Sequence, residues 1–201
     1  MSSAHIDTFA RDSLPPVDQQ PQFIFDLPEL QFPPQLNCAT ELLDRHVNAG
    51  NGSRICIRAP GGLSWTYADL QDKANRIANM LVQDMAVVPG NRVLLHAPNN
   101  AMMVACWFAV IKVGAIAVAT MPLLRAKELK PVIDKAQIRH ALCDFHLATE
   151  VQSAAQQCPT LQTIRYFNDD SVDGLDAAMA RHSPVFTNAN TASDDTCIIA
   201  F

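Results

Sequence analysis

The sequence predicts an α/β fold, with a mostly parallel β-sheet flanked by helices and an extended, proline-rich arm at the N-terminus. From residue 38 onward, apolar runs of strand length alternate at least four times with stretches of helical periodicity. Hydrophobic residues make up 49% of the 201 residues and charged residues 17%, which is the composition of a globular chain. Such alternation is typical of parallel sheets, which bind ligands beyond the carboxyl ends of their strands.

Residues 1–37 differ from the rest of the chain. Prolines interrupt them and phenylalanines lie between the prolines, at Pro15, Pro16, Pro21, Phe23, Phe25, Pro28, Phe32, Pro33 and Pro34. Prolines at this density oppose helix formation, so we expect an extended arm. The phenylalanines indicate that the arm packs along the main body or against a second subunit, which makes a homo-oligomer an expectation.

The first helix and a hairpin are predicted next. A stripe of apolar side chains predicts a helix over Cys38–Val47, ended by the glycines of residues 50–52. The stripe consists of Cys38, Leu42, Leu43 and Val47. Alternation over Arg54–Ala59 and the turn at residues 60–62 predict a β-hairpin that returns over Leu63–Thr66.

The second helix has a clear start signal. Thr66 is predicted to cap it, because Asp69 stands three residues later, close to the pattern of a capping box. Apolar residues then recur at helical spacing, at Leu70, Ala74, Ile77 and Leu81. A buried strand is predicted over Arg92–Ala97, and the turn at residues 98–100 is predicted to cap the helix that follows.

Residues 101–124 are apolar enough to raise the question of a membrane span. Lys112 lies near the middle of this run and Pro122 interrupts its end, so a buried helix over Ala101–Val113 and a buried strand over Ala115–Thr120 fit better.

The later elements follow the same alternation. A helix is predicted over Lys127–Ala136, with Pro131 in its first turn, where backbone N–H groups lack partners. Arg125 therefore belongs to the preceding loop. Further strands are predicted over His140–Asp144 and Gln162–Phe167, and further helices over Leu147–Gln157 and from about Asp173 to His182.

The last predicted strand coincides with the end of the sequence. Residues 194–201 run from two aspartates into the apolar segment Cys197–Phe201. A natural domain seldom ends inside a buried strand, so we expect a truncated chain, the front part of a longer one whose chemistry lies downstream.

Charge and cysteine usage exclude several classes of protein. The net charge is −5, and no basic run exceeds two residues, so no nucleic-acid partner and no membrane surface is expected. Residues 1–16 lack the apolar segment of a signal peptide. The six cysteines form no Cys-x-x-Cys pair, which favours small buried hydrophobes in a reducing, cytoplasmic compartment.

Common catalytic motifs are missing from the sequence. It has no Gly-x-Gly-x-x-Gly fingerprint, no P-loop and no Gly-x-Ser-x-Gly elbow, which disfavours a Rossmann-type oxidoreductase. Its six histidines lack metal-ligand spacing, so no metal site is expected. His96 ends a buried strand, where an α/β protein would place a functional group; a hydrogen-bonded core histidine is the alternative.

Arg125 is the candidate binding residue. It follows a buried strand on the edge where ligands bind, beside Lys127 and Lys130. Three cations near one helix start are suited to holding a phosphate. A solvated basic turn is the alternative.

The segment from Trp65 to Leu129 contains ordered short motifs: Trp65-Thr66-Tyr67-Ala68-Asp69-Leu70, Ala74-Asn75-Arg76-Ile77-Ala78, Pro89-Gly90-Asn91-Arg92-Val93, Ala97-Pro98-Asn99-Asn100 and Trp107–Val118. Their order resembles the N-terminal subdomain of the adenylate-forming acyl- and aryl-CoA synthetases, and the resemblance covers nearly the whole chain. Three further stretches, Phe25–Leu30, Leu36–Ala39 and Ala119–Arg125, resemble the benzoate- and 2-aminobenzoate-CoA ligases.

The resemblance implies a division of the chain and a reaction. Residues 1–37 would be the arm and residues 38–201 a partial AMP-binding domain, cut before the phosphate loop, so no catalytic residue falls in this chain. The full-length enzyme would use ATP, Mg²⁺ and CoA: an aromatic carboxylate attacks the α-phosphate of ATP, and the CoA thiol then displaces AMP from the acyl-adenylate.

The resemblance also bears on binding by this part of the chain, to which none of these cofactors is expected to bind tightly. Some relatives have a basic residue at the position of Leu123 that reaches a CoA phosphate; the nearest cation here is Arg125. The alternative function is a non-catalytic α/β binding or scaffolding module.

Overall fold

The computed structural model describes residues 2–201, which form an open sheet, a two-stranded hairpin and the helices around them. The helices are α1 (Phe9–Asp12), α2 (Tyr67–Gln83), α3 (Ala101–Lys112), α4 (Ala126–Ala136), α5 (Ala148–Ala155) and α6 (Leu175–Ala180). The strands are β1 (Ile55–Arg58), β2 (Ser64–Thr66), β3 (Arg92–His96), β4 (Ile116–Thr120), β5 (His140–Asp144) and β6 (Thr163–Phe167).

The central sheet has the strand order β4-β3-β5-β6, and every neighbouring pair is parallel. Side chains alternate between its two faces: Val93 and Leu95 of β3 pack under α2, α3 and α6, whereas Leu94 packs under α4 and α5. Both faces are thus covered, which explains why the strands read as continuous apolar runs. The predicted α/β class is confirmed.

The connections of the sheet create a crevice at one edge. The loop after β3 leads to α3 on one face, whereas the loops after β4 and β5 lead to α4 and α5 on the other. Adjacent loops that diverge in this way open a gap beyond the carboxyl end of the strand between them. The end of β3 is therefore where a ligand site is expected.

The predicted starts of two helices are confirmed. Thr66 caps α2: its side chain accepts from the Asp69 amide at 3.2 Å, and the Asp69 carboxylate accepts from the Thr66 amide at 2.8 Å. The predicted apolar stripe of α2 is buried. Asn100 caps α3, accepting from the Met103 amide at 2.9 Å.

The segment after the arm is helical but not α-helical throughout. Thr40–Asp44 and Val47–Asn51 form π-helical turns, and Gly50 has φ +83°. Because π turns are wider than α turns, the α-helical spacing fails here. Leu43 is buried but Leu42, assigned to the same stripe, is 55% exposed.

The prediction for Pro131 was wrong. The fourth helix begins at Ala126, so Pro131 is its sixth residue and not part of the first turn. The Glu128 carboxylate accepts from the Arg125 amide at 2.7 Å, and this cap moves the helix start upstream. Pro131 and Lys127, whose carbonyl it leaves unpaired, are both exposed, which leaves this position open to solvent. Arg125 does precede the helix.

The arm is only partly extended and only partly packed. It contains α1 and two 3₁₀ turns, Val17–Gln19 and Pro28–Leu30, the second of which begins at a proline, a residue that fits the first position of a turn. Its start and end bind the body: the Ile6 amide donates to the Pro89 carbonyl, and residue 36 pairs with residue 191. Between them the phenylalanines pack on one another, one pair parallel and one pair edge-to-face, and stay exposed.

The predicted strand over Cys197–Phe201 is reduced to a single parallel bridge. The Ala117 amide donates to the Cys197 carbonyl at 2.9 Å, and the Ile199 amide donates to the Ala117 carbonyl at 3.0 Å. Ile198 and Phe201 are exposed, so the prediction that the segment is buried was wrong. The segment pairs with β4 on one side, and apolar burial in a sheet requires cover on its faces.

Candidate functional site

Polar side chains meet at the carboxyl edge of the central sheet. His96, Thr120 and Asp144 are the last residues of β3, β4 and β5, and Asn168 directly follows β6. The register places His96 opposite Thr120 in one neighbour and opposite Cys143 in the other. Because parallel strands end at the same edge, four separate stretches of sequence converge at one place.

His96 is completely buried and keeps one ring nitrogen unpaired. Its Nδ1 lies 2.8 Å from the Thr120 hydroxyl, which donates to the Leu95 carbonyl at 3.4 Å. In the tautomer that matches this contact, the hydroxyl donates to the carbonyl and accepts from the ring, which places the hydrogen on Nδ1 and leaves Nε2 as an acceptor. Among residues 2–201, Nε2 contacts no hydrogen-bond partner.

The environment of His96 favours a neutral ring. Burial lowers the pKa of His96, and the nearby carboxylate of Glu150 opposes that shift. A neutral imidazole with a free Nε2 lone pair can accept a hydrogen bond or a proton from a group in the crevice. Within the described part of the chain, one ring nitrogen of His96 is therefore hydrogen-bonded and the other is not, and a functional role for His96 stays a prediction.

Asp144 connects the loops around the crevice. Its Oδ2 accepts from the side-chain amides of Asn100 at 2.8 Å and Asn168 at 2.7 Å, and its Oδ1 accepts from the His146 amide and ring. Burial would raise the pKa of Asp144, but the bonds from His146, Asn168 and Asn100 outweigh it and lower the pKa. A buried, ionised Asp144 thus fixes the loops after β3, β5 and β6.

Arg125 lies beside the same edge, at the start of α4. Its guanidinium pairs with Glu150 at 2.9 Å, and Glu150 also accepts from the Ala126 amide at 2.9 Å. The Arg125 side chain remains 71% exposed. Glu150 links this loop to the first turn of α5 and fixes the backbone beside Arg125. The guanidinium nitrogens that do not contact Glu150 stay free for a ligand.

The three predicted cations do not act as one group. Lys127 is exposed and lies 3.6 Å from Glu128, whereas Lys130 pairs with Asp134 one turn further along the helix. Arg125 and Lys127 remain near the helix start, and each has an acidic neighbour. Arg125 and Lys127 thus form a basic rim in which each positive charge lies close to a carboxylate.

Apolar side chains surround the basic rim. Met121 and Leu123, in the loop after β4, are 64% and 78% exposed. Phe145, directly after β5, is 49% exposed and packs edge-on against Tyr166 with ring centroids 6.2 Å apart. Exposed apolar groups next to a cation suit a ligand, or another part of a protein, with both apolar and anionic surface.

Sequence reasoning missed two members of this site. Glu150 occupies the first turn of a predicted helix, where an acid is ordinarily assigned to the helix dipole. Asn168 follows a strand end and has φ +54°, a left-handed conformation that asparagine tolerates better than most residues. A search for polar residues directly after the predicted parallel strands would have found Asn168.

Other classes of site are not seen in the part of the chain that the structure describes. No group of three or more His, Cys, Asp or Glu side chains has the arrangement of a metal site over residues 2–201. Over the same range, the helices are too short or too polar for a membrane crossing. Asp195 instead binds the arm, accepting from the Ala4 amide and from Arg11.

Comparison with protein families identifies the chain. The model of the AMP-binding enzyme family matches residues 43–201. The chain belongs to this family. It is 26% identical over 170 residues to the benzoate–CoA ligase of Thauera aromatica, covering 85% of this chain and 32% of that protein. It is 31% identical over 110 residues to the acetyl-coenzyme A synthetase of Mycolicibacterium smegmatis, covering 52% of this chain and 12% of that protein.

Solved structures show the same fold. The anthranilate CoA ligase AuaEII, crystallised with anthranoyl-AMP, superposes with a TM-score of 0.76 at 21% identity, covering 83% of this chain and 31% of that one. The chain thus spans about a third of the length of the benzoate–CoA ligase and of this structure. The predicted membership of the adenylate-forming superfamily is confirmed.

Proposed function

We propose that this chain forms the N-terminal part of an ATP-dependent, AMP-forming acid–CoA ligase that acts on an aromatic carboxylate of the benzoate or 2-aminobenzoate type. The observation that carries the proposal is the match to the benzoate–CoA ligase over 85% of the chain. The match to the acetyl-coenzyme A synthetase covers 52% of the chain, so it supports the reaction type more than the substrate. The reaction yields an acyl-adenylate and pyrophosphate, and then the acyl-CoA.

In this proposal, residues 1–37 are an arm and residues 38–201 a partial AMP-binding domain. The chain contributes a scaffold and a rim, while the phosphate loop, the magnesium-binding acids and the catalytic lysine of the family lie elsewhere. We therefore expect the isolated 201-residue chain to be inactive and to bind ATP, Mg²⁺ and CoA weakly. We place the parent enzyme in the cytoplasm, in keeping with cysteines that the structure leaves free.

Arg125 is proposed to contact a phosphate of CoA. It is exposed, it starts a helix beyond the carboxyl edge, and Glu150 holds only one side of its guanidinium. The exposed Leu123 and Met121 beside it would cover apolar parts of the same ligand. Guanidinium groups bind phosphate bidentately, which gives this residue a geometric advantage over Lys127.

A chimera tests the function. Residues 1–201 of this chain are joined to the remaining two-thirds of the Thauera aromatica benzoate–CoA ligase, and pyrophosphate release is measured with benzoate, 2-aminobenzoate and acetate. We expect turnover with the aromatic acids and none from the 201-residue chain alone. A folded chimera without turnover would favour the alternative, a non-catalytic binding or scaffolding module; turnover by the chain alone would refute its proposed dependence on missing parts.

The same chimera tests Arg125. Arg125→Ala is expected to raise the KM for CoA about fivefold, the effect of losing roughly 1 kcal/mol from an exposed charged contact. Lys135→Ala removes an equal charge from the exposed end of the same helix and is expected to leave that KM unchanged. Equal effects of the two substitutions would show that only net charge matters.

A homo-oligomer is proposed from the arm. Phe23, Phe25 and Phe32 form an aromatic cluster, with Phe23 parallel to Phe25 at 6.1 Å and Phe32 edge-on to Phe25 at 6.0 Å between centroids, yet they are 73%, 48% and 53% exposed. An apolar cluster of this kind supports contact with a second copy of the chain. Sedimentation of the protein and of Phe25→Ser tests it: a shift to monomer supports the proposal, and a wild-type monomer contradicts it.

A further inference from the structure

Two half-buried cysteines lie together although 159 residues separate them in the sequence. Cys38 begins the helical segment after the arm, and Cys197 lies in the segment that pairs with β4. Both residues line a small, partly open cavity of about 50 Å³, together with Leu36 and Gly114. Both also pack against the same apolar core.

Hydrogen bonds hold the two cysteine-bearing segments in place. The Leu36 amide donates to the Thr191 carbonyl at 2.8 Å, just before Cys38 in the one segment and before Cys197 in the other. The buried Asn37 side chain donates to the Ile111 carbonyl at 2.9 Å. The Cys197 carbonyl accepts from the Ala117 amide. The backbone on both sides is therefore fixed, and both residues line the same cavity.

The pKa of Cys38 is shifted in the opposite direction to that of the other five cysteines. A hydrogen bond from the Cys197 thiol, joined by backbone contacts, outweighs burial and brings the pKa of Cys38 to about 6. The pKa of Cys197 is raised, first by the same thiol pair and then by burial. Burial raises the pKa of each of the others, at Cys56, Cys106, Cys143 and Cys158. Glu41, His5 and Asp195 are titratable neighbours of the pair.

We propose that Cys38 and Cys197 form a redox-active pair, in which Cys38 is the nucleophilic thiol and Cys197 the resolving thiol of a reversible disulfide. The site is independent of the proposed ligase function, since neither residue lies at the carboxyl edge. The chemical class of its oxidant is a peroxide. Once formed, the bond ties the end of the arm to the segment beside β4.

The chemistry is balanced as follows. The Cys38 thiolate attacks one oxygen of hydrogen peroxide, the O–O bond breaks, and hydroxide leaves as water after taking a proton. The Cys197 sulfur then attacks the sulfenic sulfur of Cys38, the S–O bond breaks, and a second water leaves with the thiol proton. Two thiols and one peroxide thus give one disulfide and two waters. A dithiol reductant reverses the step.

Peptide mapping tests the pair in the intact chain. Trypsin releases Cys38 on the peptide covering residues 12–45 and Cys197 on that covering residues 182–201, each with a single cysteine. After treatment with equimolar hydrogen peroxide we expect these two peptides cross-linked, with the loss of two hydrogen atoms, and separated again by dithiothreitol. The cross-link should be absent in Cys38→Ser and Cys197→Ser and present in Cys56→Ser, a control at an equally half-buried cysteine.

Two measurements on the wild type keep the test independent of how the variants fold. Iodoacetamide at neutral pH is expected to label Cys38 before Cys56, and oxidation is expected to raise the apparent Tm reversibly, because the bond closes a long loop. The proposal is overturned if peroxide converts Cys38 to sulfinic acid without a cross-link. It is equally overturned if Cys38 alkylates no faster than Cys56, or if the cross-link joins other cysteines.

Discussion

The two edges of the central sheet use polar residues in opposite ways. At the amino edge, Arg92 is 3% exposed and its guanidinium donates to the carbonyls of Ala136, Gly90 and Gln137 at 2.9–3.0 Å, while pairing with Asp7 at 2.6 Å. At the carboxyl edge, the buried ring of His96 keeps Nε2 unpaired. At the amino edge the buried guanidinium is paired within the chain, whereas at the carboxyl edge a buried ring nitrogen has no hydrogen-bond partner among the described residues.

Lys112 extends this contrast. It is 1% exposed at the end of α3, donating to both oxygens of Asp44 at 2.6 and 2.7 Å and to Asn188 at 3.3 Å. Arg125, a cation of the opposite edge, is 71% exposed and holds one partner. Saturated buried ions contribute to stability and specificity of the fold, whereas partly paired polar groups at a crevice are available to a ligand.

The largest expected effect is at the amino edge. Lys112→Met keeps the aliphatic chain but leaves the partly buried Asp44, whose side chain is 13% exposed, without its cation. We expect the free energy of unfolding to fall by about 3–5 kcal/mol, because an unpaired buried charge retains its desolvation cost. Urea denaturation followed by circular dichroism measures the change.

Lys127→Met is the matched control, since it removes the same group from an exposed site on α4. Its effect should stay within about 0.5 kcal/mol. A loss below about 1 kcal/mol for Lys112→Met would mean that the ion pair at the amino edge is not saturated in solution, and the contrast between the edges would fail.

The second expected effect is a loss of stability at low pH, and it is again larger at the amino edge. Burial, with Arg139 and Arg92 nearby, lowers the pKa of His140 to about 4. The unfolded chain then binds more protons than the folded one between about pH 6.5 and pH 4, so stability is fully present above this window and falls through it. The loss should reach about 2–3 kcal/mol near pH 4.

A comparison of His140 at the amino edge with His96 at the carboxyl edge tests which histidine causes this pH dependence. Glu150 opposes the lowering of the pKa of His96, whereas both charged neighbours of His140 add to its shift. His140→Asn should therefore flatten the pH dependence of the unfolding free energy between pH 6.5 and 4 more than His96→Asn does. A larger flattening from His96→Asn would reverse the assignment of the edges.

The fold was largely predictable because its signals are local. The capping pair Thr66 and Asp69, and the apolar stripe of α2, each lie within a few turns of sequence, and the structure confirms them. The errors arose where a nearby cap or a different type of helical turn overrides the regular α-helical pattern. Pro131 is tolerated inside α4 because Glu128 caps the helix earlier, and Leu42 is exposed because π turns shift the helical register.

The candidate site was less predictable. Arg125 was proposed from its place after a strand, but its ion-pair partner Glu150 lies 25 residues later and belongs to another helix. The role of Asp144 as the anchor of three loops depends on which strands are neighbours, and the order β4-β3-β5-β6 does not follow from alternation. Which side chains meet depends on the order of the strands in the sheet, and local sequence patterns do not determine that order.

The third expected effect is at the carboxyl edge. Asn100→Ala removes the cap of α3 and one donor to buried Asp144, so we expect a loss of about 2 kcal/mol, half from each contact. Asn99→Ala, at the exposed neighbouring position, should change stability by less than about 0.5 kcal/mol. Equal losses from the two substitutions would show that the loop, and not the bonds of Asn100, carries the stability.

The smallest expected effect is that of Arg125→Ala. The side chain is mostly exposed, and the start of α4 keeps its cap because Glu128 binds the backbone amide of residue 125. Exposed ion pairs contribute little, so the Tm should move by less than about 1 °C. Scanning calorimetry of the 201-residue chain measures this. A stable Arg125→Ala protein with weakened CoA use in the chimera would assign the arginine to ligand binding. A drop of several degrees would instead make Arg125 structural, like Arg92, and erase the distinction between the two edges.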